Sequence, residues 1–115
     1  MVNKWDIYYC NLNPVKGSEQ KGSRPVLVVS SNAVNHSIPV STILPFSSVK
    51  EGATIYPTEV FIPPEASGLQ KNSVVMIQQI RTLSHNRLGK RIAHLENREY
   101  QKNVLDALKD YFEYE

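Results

Sequence analysis

The residues best suited to chemistry lie in three short stretches. The first, Gly17-Ser-Glu-Gln-Lys-Gly-Ser-Arg-Pro25, crowds polar and charged groups into a loop that feeds the apolar run Pro25-Val-Leu-Val-Val-Ser30. Arg24 stands at that junction, so a strand can hold its backbone while its side chain reaches a cleft. A guanidinium placed this way suits a phosphate, because its planar fork donates paired hydrogen bonds to two oxygens. The competing use is an ion pair with a neighbouring carboxylate such as Glu19. The second stretch is Gln78-Gln79-Ile80-Arg81-Thr82. Its amides can pair with the edges of unstacked bases and Arg81 can hold a phosphate; alternatively, Arg81 and Thr82 cap a strand end and make turn contacts. The third is Ser47-Ser48, expected just after a strand, where a hydroxyl either touches the same cleft or serves the turn.

Other chemistries are not marked. The five glycines are scattered, so there is no phosphate-binding loop. His36, His85 and His94 lack metal-ligand spacing and read as surface or structural histidines. No serine sits in a nucleophile elbow. The single cysteine, Cys10, excludes an internal disulfide and a cysteine-based zinc site, and neither a metal nor a cofactor is expected.

These groups need a scaffold, and 115 residues at 41% hydrophobic suit one domain, spanning 1–115, with a small core. The N-terminus lacks the apolar run of a signal peptide, and no stretch approaches the ~20 apolar residues of a membrane span. A soluble protein of the reducing cytoplasm is expected. Residues 1–94 hold ten Lys/Arg against five Asp/Glu, whereas residues 95–115 hold three against six. A basic body with an acidic terminal element is compatible with a polyanion partner on the body, or with solubility alone.

Most of the chain reads as strands: residues 4–12, 25–30, 38–46, 58–62, 73–80 and 88–94, with a helical turn in 82–87 that Ser84 can cap. The two prolines of the third strand suggest irregular pairing or an exposed edge. The period then changes. Tyr100, Val104, Leu108, Tyr111 and Phe112 recur at helical spacing, with Asn97 as N-cap and Glu99 at the positive helix end, predicting a helix over 97–113 laid on the sheet. Short strands and one helix, without βαβ alternation, predict a mainly β fold: a small, partly open antiparallel barrel closed by a helix.

Taken together, Trp5, Asn13-Pro14, Gly17-Ser18-Glu19-Gln20-x-Gly22-x-Arg24-Pro25-Val26 and Gln79-Ile80-Arg81-Thr82 resemble the MazF/PemK toxin family, in order and spacing over nearly the whole chain. The resemblance implies the small SH3-like barrel with a C-terminal helix, as in PemK and CcdB, usually a homodimer. It implies sequence-specific, metal-independent cleavage of single-stranded RNA, mainly messenger RNA. The ribose 2′-hydroxyl would be the nucleophile, leaving a cyclic phosphate and a 5′-hydroxyl. The partner would be a small MazE-like antitoxin whose disordered tail folds as it blocks the RNA groove.

Residue by residue, Arg24 falls on the family's catalytic arginine, Ser47 on a position that commonly carries a catalytic threonine, and Glu19 on an acidic loop residue implicated in some members. Gln78 stands where relatives often have an acid that some assign as the base, and a neutral amide takes no proton at pH 7. Either Glu19, the leading candidate, supplies the general base, or the enzyme relies mainly on positioning. Ser18 replaces a histidine that some relatives use. Ser18, Gln20, Lys21, Ser48, Gln78, Gln79 and Arg81 would line the RNA groove, with Tyr56 or Phe46 available to stack a base. Two alternatives share the barrel: a CcdB-like toxin that binds DNA gyrase and cuts nothing, and a catalytically silent relative that only binds RNA or antitoxin.

Overall fold

A computed structural model describes residues 1–114; the last residue of the 1–115 span lies outside it. In chain order the strands are β1 (Asp6–Asn11), β2 (Ser23–Val28), β3 (Val40–Ser48), β4 (Glu59–Ile62), β5 (Ser73–Met76), β6 (Arg81–Ser84) and β7 (Leu88–His94). The helices are α1 (Asn32–Asn35), α2 (Pro64–Ser67) and α3 (Arg98–Phe112), with single 3-10 turns at Ile77–Gln79 and His85–Arg87. The antiparallel strands run in the order β4-β5-β3-β2-β1-β7, and β6 pairs with the first half of β3, on the side away from β2. No pairing among the described residues joins β7 to β4 or β6, so the sheet curls without closing, as a partly open barrel does.

β3 organises the molecule. Residues Val40–Ile43 pair with β6, Ile43–Pro45 with β2, and Phe46–Ser48 with β5. Pro45 sits where the strand passes from one set of neighbours to the next, the place where a missing N–H costs least. The strand therefore continues through it, and the expected end at residue 46 moves to Ser48. Ser47 and Ser48 are the last strand residues, paired with Val74 and Ser73, rather than members of the following loop.

Both faces of the curled sheet are covered, which is why β2 reads as a continuous apolar run. Leu27 faces one core with Ile7, Leu44, Phe46, Ile77 and Val104. Val26 and Val28 face the other with Tyr8, Cys10, Ile43 and Leu83. The predicted strand 73–80 is broken: β5 stops at Met76, a 3-10 turn carries Gln78 and Gln79, and Arg81 opens β6. The apolar sequence hides this break, because the turn still buries Ile77. Residues 82–84 are strand rather than helix, and the 3-10 turn that follows receives no side-chain cap from Ser84.

The closing helix forms where its period places it. The Asn97 side chain accepts from the N–H groups of Glu99 and Tyr100, satisfying two donors that the first turn leaves free. Val104 is buried and Tyr100, Ala107 and Leu108 pack beside it against the first core. Tyr111 and Phe112, expected on the same stripe, are exposed. The helix lies on β4 and the turn after β5.

β1 and β7 are tied by a buried charge. One Asp6 oxygen accepts from His94 Nδ1 at 2.7 Å and Arg91 Nε at 3.0 Å, and the other accepts from the Asn3 N–H at 3.0 Å. Burial pushes this carboxyl up, but the bonds from His94, Asn3 and Arg91 outweigh it and hold its pKa below the ordinary value. The stability it contributes is therefore present above the ordinary carboxylate pKa and is lost as pH falls through the depressed one. An Asp6→Ala variant should lose on the order of 3 kcal/mol at neutral pH, because Arg91 and His94 can rehydrate and only part of a broken buried pair is lost. The gap to wild type should close on acidification, which thermal melts across a pH series will check.

Candidate active site

Arg24 is the second residue of β2 and lies opposite Cys10 of β1. Its guanidinium is held on three sides. Nε donates to the Lys21 carbonyl at 3.1 Å and Nη1 to the Phe46 carbonyl at 3.1 Å. With the Gln20 amide turned so that its oxygen faces the fork, that oxygen accepts from Nη2 at 2.7 Å and Nη1 at 2.8 Å. One N–H on Nη2 is left without an acceptor among these partners. Every partner is neutral, and among the described residues Arg24 makes no ion pair. The expected competitor, Glu19, turns back on its own loop and accepts from the Lys16 N–H at 2.7 Å. Burial pushes the Arg24 pKa down and the Tyr9 phenol pushes it partly back. The result is an oriented cation with nothing neutralising it, which is the arrangement that binds an anion.

β3 brings Ser47 alongside. The β2–β3 pairing ends at Val26 and Pro45, and Ser47, two residues beyond Pro45, pairs with Val74 of β5. The Phe46 carbonyl that Nη1 grips belongs to the peptide joining Phe46 to Ser47.

Two depressions flank the Arg24–Gln20 pair. The larger, about 620 Å³, is lined by Arg24 and Ser48 together with Tyr9, Phe46, Leu69 and Lys71, and none of its described lining residues is acidic. The smaller, about 270 Å³, gathers Glu19, Gln20, Gln78, Gln79 and Arg81 over Leu12 and Pro45. Ser47 lines neither; Ser48 is the hydroxyl that opens into the larger one.

Several expected site residues also hold the site together. The Gln79 oxygen accepts from the Gln20 N–H at 2.9 Å, and its amide nitrogen donates to the Ser18 carbonyl at 3.0 Å. Gln79 thus clamps the 13–22 loop at the point that sets Gln20 on Arg24. Arg81 Nη1 donates to the Leu12 carbonyl at 2.9 Å, fixing the end of the strand from which that loop departs. Ser18 and Lys21 enter this network through backbone carbonyls, while their side chains face outward. Gln78 is exposed over the smaller depression. Phe46 is buried in the core and Tyr56 is exposed on the loop before β4. Among the described residues no three His, Cys, Asp or Glu side chains come together as a metal site.

Sequence reasoning missed Tyr9 and Lys71. The signal for Tyr9 was available: with Tyr8 turned into a core, strand alternation sends Tyr9 to the opposite face.

The fold and site define a small, partly open β-barrel that presents an oriented arginine, and comparison with known proteins gives the family. The family described as PemK-like, MazF-like toxin of type II toxin-antitoxin system matches residues 3–112, and the chain belongs to it. It is 36% identical over 109 residues to Endoribonuclease EndoA of Bacillus subtilis, covering 95% of this chain and 92% of that one. It is 35% identical over 108 residues to Endoribonuclease MazF of Staphylococcus saprophyticus, covering 94% and 88%. Among solved structures, MazF from Deinococcus radiodurans superposes with a TM-score of 0.80 at 26% identity, covering 97% of this chain and 96% of that one. A mycobacterial endoribonuclease in complex with its cognate antitoxin shares the fold, with a TM-score of 0.81 at 21% identity, covering 100% and 98%. The gyrase-binding alternative is not favoured by these relatives.

Proposed function

We propose that this protein, as one domain, is the endoribonuclease toxin of a type II toxin–antitoxin pair, cutting single-stranded messenger RNA in the cytoplasm without a metal. The observation that carries the reading is the Arg24 guanidinium, held by neutral oxygens alone and lining a depression that also holds Lys71 and no acid among its described lining residues. Two relatives named endoribonucleases, each more than one-third identical over most of the chain, support it. Arg24 binds the scissile phosphate and stabilises the charge that builds on its oxygens. The 2′-oxygen attacks phosphorus, the bond to the 5′-oxygen breaks, and a cyclic phosphate and a 5′-hydroxyl result. Glu19 takes the 2′-hydroxyl proton. Arg24 stays charged beside the leaving 5′-oxygen and stabilises the negative charge that grows there, while the proton that oxygen needs comes from solvent. The Ser47 hydroxyl, one residue past the Phe46 carbonyl that Arg24 grips, hydrogen-bonds the phosphate or the attacking group. Ser18, Gln20, Lys21, Ser48, Gln78, Gln79 and Arg81 border the path of the strand. The working form is a homodimer, and the partner is a MazE-like antitoxin peptide that blocks the groove.

The test is digestion of a long RNA by purified protein in excess EDTA, with both new ends identified chemically. Cleavage at a recurring sequence, leaving cyclic-phosphate and 5′-hydroxyl ends, is expected. Intact RNA would leave the catalytically silent binder as the better reading, and 5′-phosphate ends would reject 2′-hydroxyl attack.

A further inference from the structure

The larger depression extends well beyond Arg24, and of the other residues expected at the site only Ser48 and the core residue Phe46 line it. Tyr9 forms one wall. It lies opposite Pro25 in the β1–β2 register, one residue along from the Cys10–Arg24 couple. Its side chain is 48% exposed, although the neighbouring strand residues Tyr8 and Cys10 are buried. Its backbone is fixed: a side chain at Gly89 of β7 would come within 2.7 Å of the Tyr9 carbonyl oxygen, so only glycine admits this close approach. A rigid strand therefore presents an aromatic ring to solvent beside an unpaired guanidinium. Lys71, exposed and without an ion pair among the described residues, lines the same depression, and Leu69 and Ile92 add apolar surface. Two cations, an open ring and no acid match a nucleotide, which offers a π-face and an anion. The volume of about 620 Å³ is within the range of small-ligand sites, roughly 300–1,000 Å³.

We propose that this depression is a nucleotide subsite: the base next to the scissile phosphate stacks on Tyr9, and the phosphate beyond that base is held by Lys71. The inference rests on Arg24 as the ligand of the scissile phosphate, since that contact sets the register of the strand. Tyr9 reads the ring face, so it contributes affinity and register more than base identity, and Lys71 contributes a salt-dependent contact.

The test uses a short RNA spanning the mapped cut, with a 2′-deoxy nucleotide at the cut to block the reaction and 2-aminopurine placed in turn at each position. In wild type, the fluorophore at one position adjoining the scissile phosphate should be quenched by stacking. Tyr9→Ala should abolish that quenching and weaken binding roughly tenfold, while Tyr9→Phe keeps both. Lys71→Ala should lower the slope of log affinity against log salt by about 0.7, one phosphate contact on a single strand. Melting curves of the variants confirm folding. Quenching that persists in Tyr9→Ala, with cleavage still dependent on Arg24, overturns the subsite and leaves the nuclease reading standing. Loss of binding to an antitoxin peptide but not to RNA also overturns it. Absence of RNA cleavage by wild type overturns both.

Discussion

Replacing Arg24 by alanine is expected to lower RNA cleavage by at least ~10²–10³-fold, the loss typical of removing one donor from a site of developing negative charge. The argument is electrostatic. The guanidinium gives four of its hydrogen bonds to neutral oxygens of Gln20, Lys21 and Phe46, so its orientation is fixed while its charge stays available. Arg24→Lys keeps the charge but loses the fork. A single ammonium cannot bond Phe46, Lys21 and Gln20 while also meeting two phosphate oxygens, so most of the activity should go with it. Stability should fall much less, because Arg24 is only part-buried and water can reach the oxygens it leaves. Single-turnover rates with a short RNA carrying the mapped site, alongside melting curves, separate the two effects. An alanine variant that cleaves at the wild-type rate would remove the central element of the proposed mechanism.

What the sequence disclosed depended on the range of the interaction. The C-terminal helix was legible because its signals are local: the Asn97 cap contacts residues two and three positions on, and Val104 falls where the apolar period requires. β2 was legible because three successive apolar residues buried on two faces leave a continuous run. The break at Ile77–Gln79 was not, because a buried turn residue and a buried strand residue are equally apolar. The α1 helix is one turn long and carries no period to detect. At the site, the position of Arg24 could be inferred from its junction with a strand, but its partners could not. The Gln79–Gln20 contact joins residues 59 apart, and the Phe46–Arg24 contact residues 22 apart. Both depend on how distant segments pack together, which leaves no local pattern. Ser47 and Ser48 are strand residues paired with β5, whereas the sequence shows only two serines near a strand end.

The second large effect is expected from the smallest change, Gln20→Glu. In the free protein the Gln20 oxygen occupies both Nη atoms, the edge of the fork that a phosphate needs. Being neutral, it is a weak competitor and yields to an anion. A carboxylate of the same shape would form a bidentate, charge-assisted pair about twice as strong as the amide contact and would cancel the charge that attracts RNA. Cleavage at neutral pH should fall about 10–100-fold, an added barrier of roughly 1.4–2.8 kcal/mol. Gln20→Ala, which removes the acceptor and adds no charge, should lose far less. Stability should move the other way. The new carboxyl, beside an unpaired guanidinium, would have its pKa pulled below the ordinary glutamate value of ~4.3, so the variant should melt slightly higher than wild type at neutral pH. That gain is present above the unfolded pKa and disappears as pH falls through the lower folded one. Rates for the two variants and a pH series of melts check both halves of the argument. Gln20→Glu cleaving like wild type while melting higher would mean that the ion pair forms and the phosphate binds elsewhere, which would move the reaction off Arg24.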